Sequence, residues 1–131
     1  MAETSHLAAA LKRDAVLAHL LARTPELLQR EDFEAVYAAE VEGIAAEVID
    51  IAGDPELADA ASPLRLRALS LGVASSIESS LFPEQQLGDS GRADQLRARF
   101  VAVLAQLRGR YPDGPASNPA PTRYYSGYVP L

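Results

Sequence analysis

Apolar residues recur at helical spacing in four stretches of the chain, and no stretch shows the strict alternation that marks a strand. The strongest pattern lies within residues 32–52. Its apolar positions are Phe33, Tyr37, Val41, Ile44, Val48 and Ile51. Gly53, followed by Asp54 and Pro55, predicts the end of this helix. The pattern as a whole predicts an all-α protein, a small helical bundle.

A second long helix is predicted over residues 62–82. Ser62 can cap its first turn, Pro63 suits the first helical position, and Pro83 prevents continuation. One apolar arc contains Leu66, Leu69, Val73, Ile77 and Leu81, and an arc of small residues contains Ala68, Gly72, Ser75, Ser76 and Ser79. Such a helix can pack on two sides, through a close contact at Gly72, with Arg67 and Glu78 on its water-facing side.

The remaining predicted elements are a long helix near the start of the chain, two short helical pieces, and a last long helix before the C-terminal segment. The first helix runs from a cap at Thr4 or Ser5 to about residue 22. Short helical pieces follow at 25–30 and 55–60. The last helix covers about 92–108 and turns one apolar face inward. That face consists of Leu96, Phe100, Val103, Leu104 and Leu107.

The formal net charge of −6 is unevenly distributed along the chain. Residues 1–31 are neutral overall, residues 32–62 carry nine acidic and no basic side chains, and residues 63–131 carry eight arginines against five acids. Such an acidic middle either stays solvated or meets an arginine-bearing surface, within one subunit or between neighbours.

Helix 32–52 has an acidic flank beside a strip of small residues. The flank contains Asp32, Glu40, Glu47 and Asp50, and the strip contains Ala35, Ala39, Gly43 and Ala46. Small side chains let a second backbone approach closely. We therefore expect this helix to offer a core face, an acidic flank and a surface for a neighbour.

The sequence contains no motif for catalysis or for binding a cofactor. His6 and His19 lack the HExxH spacing of a zinc site, so we expect exposed or interfacial histidines. GDSGR at 88–92 resembles a trypsin-like nucleophile sequence but has Arg92 where those proteases need glycine. The chain has no cysteine, which excludes disulfides and thiolate metal sites. We expect no catalytic residue, no metal, no cofactor and no enzyme.

No apolar stretch approaches the roughly 18 residues that span a bilayer, so we expect a soluble chain without membrane contact or a targeting segment. The composition changes in residues 112–131, which contain five prolines and three tyrosines. This segment is predicted to be an extended arm after a helical domain of residues 1–111. It is either a disordered tail or a docking arm. Its large apolar residues, which favour docking, are Tyr124, Tyr125, Tyr128, Val129 and Leu131.

The order of these elements resembles the head-tail connector proteins, also called adaptor or head-completion proteins, of long-tailed bacteriophages. In that family a proline-led helix recurs with Leu and Arg early, small residues in the middle and an aromatic residue near its end. The matching residues here are Pro63, Leu64, Arg65, Leu66, Arg67, Gly72 and Phe82. The resemblance covers about residues 5–110. The arm is similar only in being an extended C-terminal tail.

The resemblance implies a structural virion protein at the head-tail neck, assembled in the host cytoplasm. Its copies would form a homo-oligomeric ring, a dodecamer, between the portal protein and a tail or stopper protein, and DNA would pass through without specific binding. Leu64 and Leu71, together with the apolar residues of the arm, are the expected partner contacts. Glu40, Glu47 and Asp50 are expected to face the channel or a neighbouring subunit.

A second interpretation is a small bacterial regulatory or partner-binding module. A DNA-binding regulator of this size would need a basic recognition helix. Arg92, Arg97 and Arg99 supply only part of that charge. Binding to a partner ring but not to DNA would favour the connector, and salt-sensitive DNA binding would favour the regulator.

Overall fold

The computed structural model describes residues 5–20, 24–57, 61–82 and 91–112. These residues form six helices and contain no strand, which confirms the all-α prediction. In chain order the helices are α1 (His6–Ala10), α2 (Arg13–Leu20), α3 (Thr24–Gln29), α4 (Phe33–Ala52), α5 (Pro63–Leu81) and α6 (Arg92–Arg110).

Helix α5 lies at the centre of the bundle and packs against α4, α6 and α2. Its predicted start is confirmed, because the Ser62 hydroxyl accepts a hydrogen bond from the Arg65 backbone N–H at 3.2 Å and Pro63 occupies the first turn. Its predicted end is confirmed as well, since Phe82 is the C-cap. The two packed sides predicted for this helix are present, and α2 covers a third.

Two expectations about the faces of α5 are wrong. Leu71 is 1% exposed and Glu78 is 0% exposed, although they were expected at a partner-binding edge and on a water-facing side. Ser70 lies next to Leu71 and contacts His19 of α2 at 3.2 Å, so this side of α5 faces another helix. Leu71 is therefore a core residue and is not available to a partner protein.

Gly72 allows α4, α5 and α6 to meet closely. A Cβ atom at this position would lie 2.5 Å from Cγ2 of Ile44 and 2.8 Å from Cε1 of Phe100. Carbon atoms at those separations overlap strongly, because the optimal distance is about 3.5 to 4.0 Å. The predicted close contact at Gly72 is confirmed.

The predicted inward faces of α4 and α6 form most of the core. Every apolar residue predicted for the inward face of α6 is buried. On α4, Phe33, Val41, Ile44 and Val48 are buried, whereas Tyr37 and Ile51 are half-buried and pack at the edge of the core. Helix α6 continues two residues beyond its predicted end and stops at Tyr111.

The predicted first helix is divided into α1 and α2. Leu11, with ψ at 130°, has an extended backbone between them. Helix α1 begins at the predicted cap Ser5, and the Asp54 carboxylate accepts hydrogen bonds from the backbone N–H groups of His6 and Leu7 at 3.0 and 2.8 Å. The break lets α1 pack on the end of α4 while α2 packs along α5.

The segment between α4 and α5 begins at Gly53, whose φ of 80° fits the predicted glycine stop. Its ψ of 162° gives an extended geometry rather than the left-handed helical one. The helical piece predicted at 55–60 is a bend where the structure describes it, at 56–57, and residues 58–60 lie outside the described residues.

Candidate functional site

Four arginines from two helices form one positively charged surface. Arg92, Arg99 and Arg110 lie on the same flank of α6, because their spacings of seven and eleven residues correspond to two and three helical turns. Arg67 of α5 lines a surface pocket together with Arg110. We call these four residues the arginine surface. Three of them are exposed, and Arg92 is half-buried.

His19 lies at the edge of the arginine surface. Its Nε2 is 3.2 Å from the Ser70 hydroxyl, and that hydroxyl donates its one proton to the Arg67 carbonyl oxygen at 3.1 Å. The His19 Nε2–H is therefore the donor that fits Ser70. The Arg92 guanidinium donates to the His19 carbonyl oxygen and so ties α6 to α2.

The positive potential of this surface acts on the imidazole. Burial lowers the pKa of His19, and the guanidinium groups of Arg99, Arg92 and Arg67 lower it further. Three arginines from two helices thus lie close enough to one ring to disfavour its protonation.

The exposed arginines of this surface form no ion pair with another described residue. The side-chain ion pairs between described residues are Arg13 with Glu34, Arg30 with Asp32 and, when protonated, His6 with Asp54. None of them includes an arginine of the arginine surface. A negatively charged group can therefore bind here without displacing a carboxylate of the described residues.

The solvent-exposed side of α4 carries acidic side chains and small side chains. Its exposed residues recur at spacings of three and four, which places them in one stripe. We call this stripe the acidic face, and it consists of Ala39, Glu42, Gly43, Ala46, Glu47 and Asp50. A Cβ atom at Gly43 would meet nothing within 4 Å, and the small-residue strip predicted on this helix is exposed.

The other predicted site residues are placed as follows. Glu47 and Asp50 belong to the acidic face, and Glu40 lies half-buried beside it, where its Oε2 accepts a hydrogen bond from the Ser80 hydroxyl at 3.3 Å. Leu64 is half-buried and lines the pocket that contains Arg67. The five predicted contacts of the arm, Tyr124, Tyr125, Tyr128, Val129 and Leu131, lie outside the described residues.

A second, polar pocket lies between α5 and α6. It is lined by Ser75, Ser76, Ser79, Ala93, Asp94 and Arg97. The Ser75 hydroxyl donates to the Ala93 carbonyl oxygen at 3.2 Å, which ties it to the helix contact. A nucleophilic serine is commonly activated by an adjacent histidine or lysine, and the described lining contains neither.

Within residues 5–20, 24–57, 61–82 and 91–112, no three His, Asp or Glu side chains are grouped so as to hold a metal ion. None of the helices there is long and apolar enough to cross a membrane. The two charged surfaces therefore remain the most distinctive features of the described residues.

The arginine surface was not predicted as a unit. The shared flank of Arg92, Arg99 and Arg110 can be read from their spacing on α6. The contribution of Arg67 depends on how α5 packs against α6, which no local pattern specifies.

No protein-family model, curated protein or solved structure matches this chain.

Proposed function

We propose that this protein is a structural subunit of a ring-shaped head-to-tail adaptor in a long-tailed bacteriophage. The ring lies between the portal and a tail or stopper protein, and DNA passes through it. The observation that carries the proposal is that one small helical body presents an arginine surface and an acidic face, neither neutralised within the described residues. Such a body is suited to joining like copies and charged partners.

The resemblance to connector proteins adds support through the residues that carry it. Gly72 and Phe82, two of those residues, hold buried positions in the central helix α5. Arg65 joins that helix to its neighbours by donating to the Ala52 carbonyl oxygen and the Tyr111 hydroxyl, at 2.7 and 3.1 Å. Three of the residues that carry the resemblance thus occupy positions on which the packing of this bundle depends.

The charge of the protein also suits a ring around moving DNA. The chain carries a net charge of −6, and a contact between copies of the chain leaves that net negative charge in place. Negative surfaces repel the phosphate backbone, so a duplex slides past them without being held. A ring assembled from such subunits would guide DNA without gripping it.

Binding to a candidate portal assembly tests the proposal. We expect the protein to sediment with purified portal rings at physiological salt and to leave a short duplex DNA unretarded under the same conditions. The matched control is a portal assembly from an unrelated phage, which should not bind. Failure to associate with the cognate portal and with cognate tail-side proteins would contradict the adaptor function.

The arginine surface favours a second candidate, a DNA-binding regulator. Four guanidinium groups would give an affinity that falls with salt with a logarithmic slope of about −3 to −4. Reversing Arg99 and Arg110 to Glu should abolish such binding. Reversing Arg97 and Arg108, which lie on the other flank of α6, makes the same charge change and should weaken it much less. Retardation of duplex DNA by the wild type that is lost on reversing Arg99 and Arg110, and largely kept on reversing Arg97 and Arg108, would favour the regulator over the adaptor.

A further inference from the structure

We infer that the arginine surface binds the acidic face of a second copy of this chain, in a head-to-tail contact. The inference rests on the ring of the proposed function and names the contact that joins its subunits. It assigns Glu47 and Asp50 to a neighbouring subunit rather than to a channel.

The spacing of charges along the two helices is compatible. At 1.5 Å per residue, Arg99 and Arg110 are about 16 Å apart along α6, and Glu42 and Asp50 are about 12 Å apart along α4. Arginine has a long, flexible side chain, and its planar guanidinium can bind a carboxylate with two hydrogen bonds. Two arginines of one copy can therefore reach two carboxylates of the next when the helices lie side by side.

The small residues of the acidic face make that approach close. Ala39, Gly43 and Ala46 leave the backbone of α4 accessible, and nothing from the described residues covers Gly43. The aliphatic stems of the arginines can lie over these residues while their charged ends reach the flanking acids. Partial exclusion of water then strengthens each ion pair relative to a fully exposed one.

The two surfaces differ from each other, so the contact is heterologous. Each copy that binds through its arginine surface still presents its own acidic face, and repetition builds a ring or an open chain. A symmetric dimer through either surface would place like charges opposite one another, which is unfavourable. The charge pattern thus favours head-to-tail assembly over a two-fold dimer.

Copies of this chain can neutralise both the arginine surface and the acidic face of one molecule, whereas duplex DNA can neutralise only the arginine surface. DNA would be attracted to the arginine surface, but the exposed acids of α4 would repel it and would stay unpaired. Only a partner with both charge types neutralises both surfaces of the same molecule. This chain is such a partner.

Disulfide trapping tests the contact directly, because the natural chain has no cysteine. Ala46→Cys places one thiol in the acidic face, and Gln106→Cys places another on the exposed α6 flank between Arg99 and Arg110. Ala105→Cys is the matched control, exposed and one residue away on α6 but turned from that flank. The single-cysteine proteins are mixed in pairs under mild oxidation.

We expect the mixed disulfide between Ala46→Cys and Gln106→Cys to exceed both self-disulfides and the Ala105→Cys pairing by about fivefold or more, since thiols bond only at close approach. Equal yields for Gln106→Cys and Ala105→Cys would overturn the inference. So would a dominant self-disulfide, which would indicate a symmetric dimer.

Charge reversal then tests whether the arginines hold the contact. Adding Arg99→Glu and Arg110→Glu to the Gln106→Cys chain should lower the mixed disulfide about tenfold. Adding Glu42→Arg and Asp50→Arg, the two carboxylates whose spacing is compatible with that of the arginines, to the other chain should restore most of the yield. An unchanged yield in the first mixture, or no recovery in the second, would overturn the inference.

A control separates this contact from the adaptor function and from nucleic-acid binding. Reversing Arg97 and Arg108 to Glu should leave the mixed disulfide unchanged. If the mixed disulfide forms but the protein does not bind the portal, the adaptor function is contradicted and the contact between copies is supported. If the protein binds the portal but the mixed disulfide does not form, the contact is contradicted and the adaptor function is supported. If duplex DNA suppresses the mixed disulfide by occupying the arginine surface at physiological salt, the inference is overturned in favour of a nucleic-acid site.

Discussion

Gly72 is the residue on which the packing of the three long helices depends most directly. Gly72→Ala should lower the free energy of unfolding by about 1 to 3 kcal/mol, because its methyl group would overlap Ile44 and Phe100. Gly72→Leu should be worse. Urea unfolding measures both changes.

The matched control is Gly43→Ala. Gly43 also lies inside a long helix, but a Cβ atom there meets nothing within 4 Å. The helical preference of alanine should therefore raise the free energy of unfolding by roughly 0.5 to 1 kcal/mol. Equal stability of Gly72→Ala and the wild type would contradict the close contact between α4, α5 and α6.

His19 should make folding sensitive to mild acid. Its ordinary pKa is 6.5, and burial together with Arg99, Arg92 and Arg67 lowers the pKa in the folded protein. Below about pH 6.5 the unfolded chain binds more protons than the folded chain. This contribution to stability is therefore complete above pH 6.5 and is lost as the pH falls toward the folded-state pKa.

His19→Gln removes the titrating group and keeps a donor for the Ser70 hydroxyl. Comparing urea unfolding at about pH 7.5 and about pH 5.5 should show a smaller acid-induced loss in this variant than in the wild type. Identical losses in the two proteins would mean that the charges around His19 do not affect folding.

At the scale of elements, Arg65 ties three helices together at one end of the bundle. Its guanidinium donates to the last carbonyl group of α4, at Ala52, and to the hydroxyl of Tyr111 after α6, and it lies 5.5 Å from the centre of the Tyr111 ring. Arg65→Ala should lower the free energy of unfolding by about 1.5 to 3 kcal/mol, since hydrogen bonds to a charged group are lost.

Arg67→Ala is the control for this effect, two residues along the same helix. Arg67 is exposed and makes no ion pair among the described residues, so its loss should change stability by no more than about 0.5 kcal/mol. Similar losses in the two variants, measured by thermal unfolding, would contradict the role of Arg65 as a link between helices.

Helix ends were predictable where their signals are local. Ser62 and Pro63 mark the start of α5, and Gly53 marks the end of α4, within a few residues of sequence. The break at Leu11 was not predictable, because the carboxylate that holds α1 belongs to Asp54, more than forty residues away. Apolar spacing continues through the break and carries no sign of it.

The burial of Leu71 and Glu78 shows the same limit for faces of a helix. Periodicity identified the arcs of α5 that face α4 and α6, but what covers its remaining side depends on segments distant in sequence, as the contact with α2 illustrates. The candidate site divides in the same way. On α4 the sequence predicted Glu47, Asp50 and the small residues of the acidic face but did not include Glu42. The joining of Arg67 to the α6 arginines required the packed structure.

At the scale of the whole molecule, the arm is predicted to attach the helical body to a partner. Among the described residues, the buried hydrophobic core extends from Leu7 to Leu107. Deleting residues 119–131 should therefore leave the thermal unfolding midpoint nearly unchanged. The deletion should weaken binding to the portal or tail-side protein, because the tyrosines that we expect to act as anchors are lost. Portal binding equal to that of the intact chain would contradict a docking arm.

The central claim is that many copies of this chain form a closed ring beneath a portal. Its most direct test is electron microscopy of the protein mixed with purified portal rings, with class averages viewed along the axis and from the side. The account predicts an added ring of density with cyclic symmetry and an open centre. Portal rings without added density, at protein concentrations well above micromolar and with folded protein confirmed, would contradict it.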